Sequence, residues 1–255
     1  MLVFRRFFIW IAVIVIAVIY ELEILRPGEF LIWLALITLL TLSALYLLYN
    51  RKTLSRQDLF LFAISPLLLV WGTFSFLFFL ENFIVIQLII VLSSFFLGVY
   101  LDNFFFFSRV PQLYQTFSLE GISSFINIYS LFFITASFIS LRIFLNISLQ
   151  ILGPVYLVLV VLFLMQSFWI NKFSVTKHWQ YLLVIALLVT ELAWALDFLT
   201  FDFFVKALLI VSSYYCMINL SLLKLKNTLN QRRLFFNLGL LIVVWITTIS
   251  SARFF

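Results

Sequence analysis

Charge is scarce in this sequence. Asp, Glu, Lys and Arg make up 10% of its 255 residues, against roughly a quarter in a soluble domain. So few ions cannot coat a water-facing surface, which excludes a water-soluble globule. Apolar residues at 65% exclude disorder as well. Cysteine is nearly absent. Cys216 alone cannot close an intrachain disulfide, and it has no partner for a metal site. It lies in an apolar run and reads as a small packing residue. His178 is the single histidine. It sits beside Lys177 and Trp179 in a connection, where an interfacial role is expected. A haem helix pair needs buried axial ligands, usually His, and none is available. No Ser-His-Asp set, HExxH, phosphate-binding glycine loop or carboxylate pair with a nearby base can be assembled. No enzyme activity, metal or cofactor is therefore expected. The six glycines form no GxxxG, so close helix approach is not the dominant packing mode. Of the four prolines, Pro66 and Pro154 fall inside or near the start of apolar runs, where each removes a backbone bond.

What remains is oil. The mean hydropathy is +1.22, and Phe alone occurs 34 times, read as lipid-facing bulk and helix packing. Nine apolar runs cover roughly 7–25, 29–49, 59–80, 83–105, 122–144, 148–170, 180–199, 203–223 and 234–252. Bare backbone polar groups cannot sit in hydrocarbon, so each run is a helix or a closed-barrel strand. The runs are too long, and alternate too little, for barrel strands of about 10 residues. The fold class is all-α, a polytopic bundle of nine transmembrane helices. Nine spans of about 20 residues leave too little chain for a second, soluble domain, so 1–255 reads as one transmembrane domain. Arg5-Arg6 followed by Phe7 to Tyr20 looks like a signal sequence. No small-x-small cleavage site follows before Glu21, and it reads as an uncleaved first helix.

The net charge of +6 has a membrane explanation. No basic patch interleaves with exposed aromatics, so nucleic acid is not expected as a partner. Counting from the N-terminus, alternate helix ends carry Arg5 and Arg6; Arg51, Lys52 and Arg56; Arg109; Lys172 and Lys177; and Lys224, Lys226, Arg232 and Arg233. These are twelve of the sixteen cations. The opposite ends carry Arg26, Arg142, Lys206 and Arg253. Glu21, Glu23, Glu29, Glu81, Asp197 and Asp202 also fall on the basic-poor side. A wrong helix count would scramble this alternation. It predicts nine spans, a cytoplasmic N-terminus and an external C-terminus.

An offset of 119 places Leu68-Leu69-Val70 on Leu187-Leu188-Val189 and Phe79-Leu80 on Phe198-Leu199. It then lays Ser93-Ser94-Phe95-Phe96 on Ser212-Ser213-Tyr214-Tyr215 without a gap. The hairpins 59–105 and 180–223 are thus candidates for a parallel repeat, as some transporters have. Leu and Phe dominate both stretches, and chance alignment is the competing explanation.

Glu191 sits near the middle of run 180–199, flanked by Leu188-Val189-Thr190 and Leu192-Ala193-Trp194. An ionised carboxylate at that depth costs about 3 kcal/mol on insertion scales. It must be protonated, paired or facing a wet cavity. Two readings stand: a proton- or cation-binding group, or a protonated carboxyl bonded to a neighbouring helix. Trp194 and Asp197 share a broad face with it. Asp202 and Lys206 are four apart, acid first, a favourable helical pair. Arg142 closes the outer end of its run, and Gln87 and Gln150 lie about a turn inside theirs. Glu191, Trp194, Asp197, Arg142, Asp202 and Lys206 are expected to line an outward-opening pocket with Glu191 at its floor. The competing reading makes the charged members snorkelling interfacial residues.

Asp202-x-x-x-Lys206 resembles the last helix of microbial rhodopsins, where an acid precedes the retinal lysine by one turn. Here Lys206 lies close to a helix end, a further helix follows, and no proton-carrying third helix matches. Glu191-Leu-Ala-Trp194 through Phe198-Leu199, then Tyr214-Tyr215, resembles uncharacterised multi-pass membrane families of bacteria with reduced genomes. Those carry a Glu-x-x-Trp segment before a tyrosine-rich helix. This resemblance covers the last third of the chain and implies a multi-pass integral protein of the plasma (inner) membrane, of unknown function.

Two functional classes follow. One is a small-solute or ion transporter using Glu191. The other is a non-catalytic membrane scaffold or subunit, favoured by short loops and few polar groups, with other membrane subunits as partners alongside the bilayer. An enzyme acting on lipid-linked substrates ranks third, because no base is at hand.

Overall fold

In the computed structural model, which describes residues 2–50, 56–115 and 117–252, nine helices are long and apolar enough to cross a membrane. They are α1 Leu2–Leu25, α2 Phe30–Leu48, α3 Arg56–Leu77, α4 Phe83–Arg109, α5 Ser118–Leu145, α6 Leu149–Ile170, α7 Trp179–Asp197, α8 Phe203–Leu225 and α9 Gln231–Ser251. No strand occurs among the described residues. Arg51, Lys52 and Arg253 lie outside the described residues, as do the side chains of Arg5 and Arg56.

Every hydropathy run became a helix, and several helices extend past their runs. α4 continues to Arg109 and α5 starts at Ser118. Each added end carries a charge that suits the helix dipole, Arg109 in the last turn of α4 and Glu120 in the first turn of α5. Asn82 caps α4 by accepting from the amides of Ile84 and Val85, at 3.0 and 3.4 Å. Asn230 caps α9 by accepting from the Arg233 amide at 2.8 Å. Hydroxyls inside the helices bond backward to their own backbone, as Thr41 does to Ile37 and Ser213 to Leu209, both at 2.7 Å. That satisfies them without a partner helix.

The chain divides into two compact units, residues 1–130 and 131–255. In the first, α1 packs on α2 and α4, and α3 packs on both α2 and α4. A Cβ on Gly98 would stand 3.0 Å from the Trp10 ring, so α1 and α4 approach closely there. At the far end of α2, the last carbonyls are capped from α4. Arg109 donates to Leu48, Leu47 and Tyr49 oxygens at 3.0, 3.2 and 2.6 Å. Ser108 adds a bond to Leu48 at 2.8 Å. These are groups that a helix C-terminus leaves open.

In the second unit α6 packs on α7, α7 on α8 and α8 on α9. The second half of α5 meets α6 where Phe138 stacks on Tyr156 at 4.5 Å and the Tyr156 hydroxyl pairs with Thr135 at 2.9 Å. α9 is held to α8 by an amide pair, Asn219 Nδ2 to Asn237 Oδ1 at 2.6 Å. Only Thr248 of α9 is buried. Broad apolar exposure on these helices needs a lipid covering.

The 119-residue offset also sets α2 against α6. It puts Phe30, the first residue of α2, on Leu149, the first of α6. Ile37, Thr41, Ala44 and Leu45, all buried in α2, fall on Tyr156, Val160, Phe163 and Leu164, all buried in α6. The serine-aromatic stretch behaves differently. Phe95 is exposed, whereas Tyr214 is buried and pairs with Ser167.

Candidate functional site

The expected site residues divide into two groups. Arg142 of α5 reaches Asp197 at the end of α7, Nε to Oδ2 3.4 Å. Lys206 of α8, itself buried, donates to the Asp197 carbonyl at 3.4 Å. Asp202 precedes α8 and contributes no side-chain cap, yet its charge acts on Lys206. These four therefore gather where α5, α7 and α8 end or begin. Two cations converge on one acidic residue, through its carboxylate and its carbonyl, and tie three helices. Glu191 and Trp194 lie elsewhere. The buried stripe of α7 is Leu182, Ile185, Ala186, Val189, Ala193 and Leu196, and both residues are exposed on another side of the helix. Gln87 is half-buried and Gln150 exposed.

The buried carboxyl is Glu23. It is 1% exposed, and neither of its oxygens has a hydrogen-bond partner. It lies two residues before the end of α1. Its inward direction follows from the stripe Ile9, Ala12, Val13, Ile16, Ile19 and Tyr20, all buried, which Glu23 continues at the helical period. Glu21, two positions away, is half-buried instead. One turn before Glu23 on the same stripe is Tyr20, where a run of hydroxyls on four helices of the first unit begins. Tyr20 pairs with Thr73 of α3. Thr73 donates to Ser93 of α4 at 3.0 Å. Ser93 meets the Tyr129 hydroxyl of α5 at 3.4 Å.

The polar line continues along α5. Ser123, Asn127 and Ser130 are buried at helical spacing. Asn127 accepts from Ser65 of α3 at 3.1 Å, while its Nδ2 and the hydroxyl of Ser130 have no partner. Glu120 begins this stripe and accepts from the Tyr114 hydroxyl at 2.8 Å. Tyr114 lies in the connection before α5. Burial pushes its phenol up from the usual tyrosine range, the Leu119 amide pulls against that, and the bond to Glu120 adds to the rise. The first unit thus carries a polar seam of hydroxyls and amides, with Glu23 one turn from Tyr20 and Glu120 at the start of the α5 stripe.

Such a seam can hold or pass a proton, or hold a small cation against hydroxyl and amide oxygens. An unpaired carboxylate buried in this way costs several kcal/mol, so the site calls for a positive partner. No group of three or more His, Cys, Asp or Glu among the described residues can hold a metal ion. The signal for Glu23 was present in the sequence, as Tyr20-x-x-Glu23 on the apolar stripe of α1. Counting it among the outer-end acids concealed it. Gln166, buried in α6 with neither amide atom partnered, was likewise passed over.

No curated protein matches the chain, and no solved structure does. Residues 27–251, which take in α2 to α9, match the family described as a protein of unknown function, DUF5656, and the chain belongs to that family.

Proposed function

We propose that this multi-pass membrane protein is a transporter of a small solute or ion in the bacterial inner (plasma) membrane. In this reading it is non-catalytic, and Glu23 takes up the coupling proton or cation. The observation that carries the proposal is a fully buried, unpartnered carboxyl one helical turn from Tyr20, the first of a run of hydroxyls on four helices. Intramembrane acids of this kind mark ion pathways and proton relays. Ser93 lies ten residues into α4, about 15 Å along the helix. The hydroxyls therefore lead from the end of α1 toward the middle of a layer about 30 Å thick. The Arg142–Asp197–Lys206 group is the second charged cluster available for a solute's ionic group.

The test uses the purified chain in vesicles under imposed proton and sodium gradients. Wild-type protein should carry flux. Glu23→Gln should abolish it while keeping helical content and insertion. Glu191→Gln, at an exposed position, is the comparison. Flux through Glu23→Gln equal to wild type would reject the role given to Glu23.

A second reading, a scaffold or subunit that binds other membrane proteins, is favoured by α9. Only 6% of its membrane-spanning window is buried. It gains if wild-type vesicles show no flux under any gradient and native purification returns stable membrane partners.

A further inference from the structure

The second unit has a groove between α7 and α8 that the transport reading does not use. It has a volume of about 440 Å³ and is lined by Tyr181, Val184, Leu188, Met217 and Leu220 among others. This size falls in the range of sites that hold small organic ligands, about 300–1,000 Å³. Val184 and Leu188 are 56% and 44% exposed, so the groove opens sideways toward the lipid. From Tyr181 to Leu188 it follows α7 for about 10 Å. Its walls are apolar for most of that length.

One end differs. Ser221 lines the groove, and Lys224 follows one turn later, with its ammonium 5.8 Å from the Tyr181 ring centre. Lys226 donates to Asn171 at 2.9 Å, which brings the connection after α6 against the end of α8. Residues 168–182 and 219–237 supply Lys172, Lys177, Lys224, Lys226, Arg232 and Arg233, and no Asp or Glu. Trp179, at the start of α7, is 54% exposed, which suits a headgroup-level anchor. An oily channel that ends in clustered cations complements one kind of molecule, with an acyl tail and an anionic head.

We infer that the α7–α8 groove binds an anionic phospholipid. Its acyl chain lies along Val184, Leu188 and Met217, and its phosphate is held by Lys224 and Lys226. Cation clusters beside helix pairs recognise anionic headgroups by this charge arrangement. The site is independent of Glu23 and of transport.

The full chain in a neutral detergent is titrated with phosphatidylglycerol or phosphatidylcholine. Thermal melting and native mass spectrometry of retained lipid are the readouts. Phosphatidylglycerol should raise the melting temperature and remain bound, and phosphatidylcholine should do neither. The double variant Lys224→Gln/Lys226→Gln should weaken phosphatidylglycerol binding by about tenfold or more. Leu188→Trp, which fills the groove from an exposed position, should also weaken it. Val158→Trp, on an exposed face of α6, should leave it unchanged. Equal responses to the two lipids overturn the inference. So does wild-type affinity in either the lysine or the Leu188 variant.

Discussion

Arg6 of α1 holds Asp102 of α4 through two parallel hydrogen bonds, Nε to Oδ1 at 3.0 Å and Nη2 to Oδ2 at 3.1 Å. The guanidinium also lies 5.3 Å from the centre of the Phe106 ring. The Arg6 side chain is 53% exposed, so solvent weakens the pair, but its two-pronged geometry does not depend on one torsion. A double-mutant cycle with Arg6→Gln and Asp102→Asn in detergent unfolding should give a coupling of about 0.5–1 kcal/mol. Additive single effects would show that the pair contributes nothing.

Arg109 should matter more. It serves three carbonyls at the end of α2, and removing it leaves them short of donors where water has limited access. Arg109→Gln is expected to cost about 1–3 kcal/mol. Arg109→Lys should recover only part, because an ammonium lacks the planar fork. Unfolding titrations of the three proteins measure this directly.

Tyr114 gives a pH dependence whose sign is fixed. Its phenol titrates above the usual value of about 10, chiefly through burial. A raised value in the folded state means that the neutral phenol contributes stability below about pH 10. That contribution disappears as pH climbs through the folded value. Tyr114→Phe should be less stable than wild type near pH 8. The gap should shrink above about pH 10, read by melting curves across that range. A constant gap would contradict the assignment.

Orientation is a separate prediction. Reporter fusions at Lys52, Glu81, Lys172 and Asp202 should lie inside, outside, inside and outside the cell. Two neighbouring fusions on one side would break the alternation of basic ends on which a cytoplasmic N-terminus rests.

The helices were legible in the sequence because lipid leaves little choice. Long apolar runs must close their own backbone bonds. Their azimuths were much harder to read. In water, the polar face of a helix announces which side is out. In lipid both faces are apolar, so Glu191 was legible as deep but not as outward-facing. Relative to Val189 and Ala193, its buried neighbours on α7, it is turned by 200°, about half a circle, on a helix of 3.6 residues per turn. The same arithmetic would have selected Glu23, since α1 is one of the helices whose buried stripe repeats cleanly. Run boundaries alone put Arg142, Asp197 and Lys206 at run ends on the basic-poor side. The convergence of both cations on Asp197 needed tertiary packing. Arg109 was read only as a cation at a helix end, and its partners lie 60 to 62 positions upstream, beyond any local pattern.

That separation has a consequence for biogenesis. The ribosome delivers α2 well before α4, so the last turn of α2 emerges into the membrane with its oxygens unclaimed. They are answered only after two more helices have been made. Insertion of this protein is therefore not a series of finished spans. A chain stalled after α3 would present an open helix end, and quality control would have something to recognise.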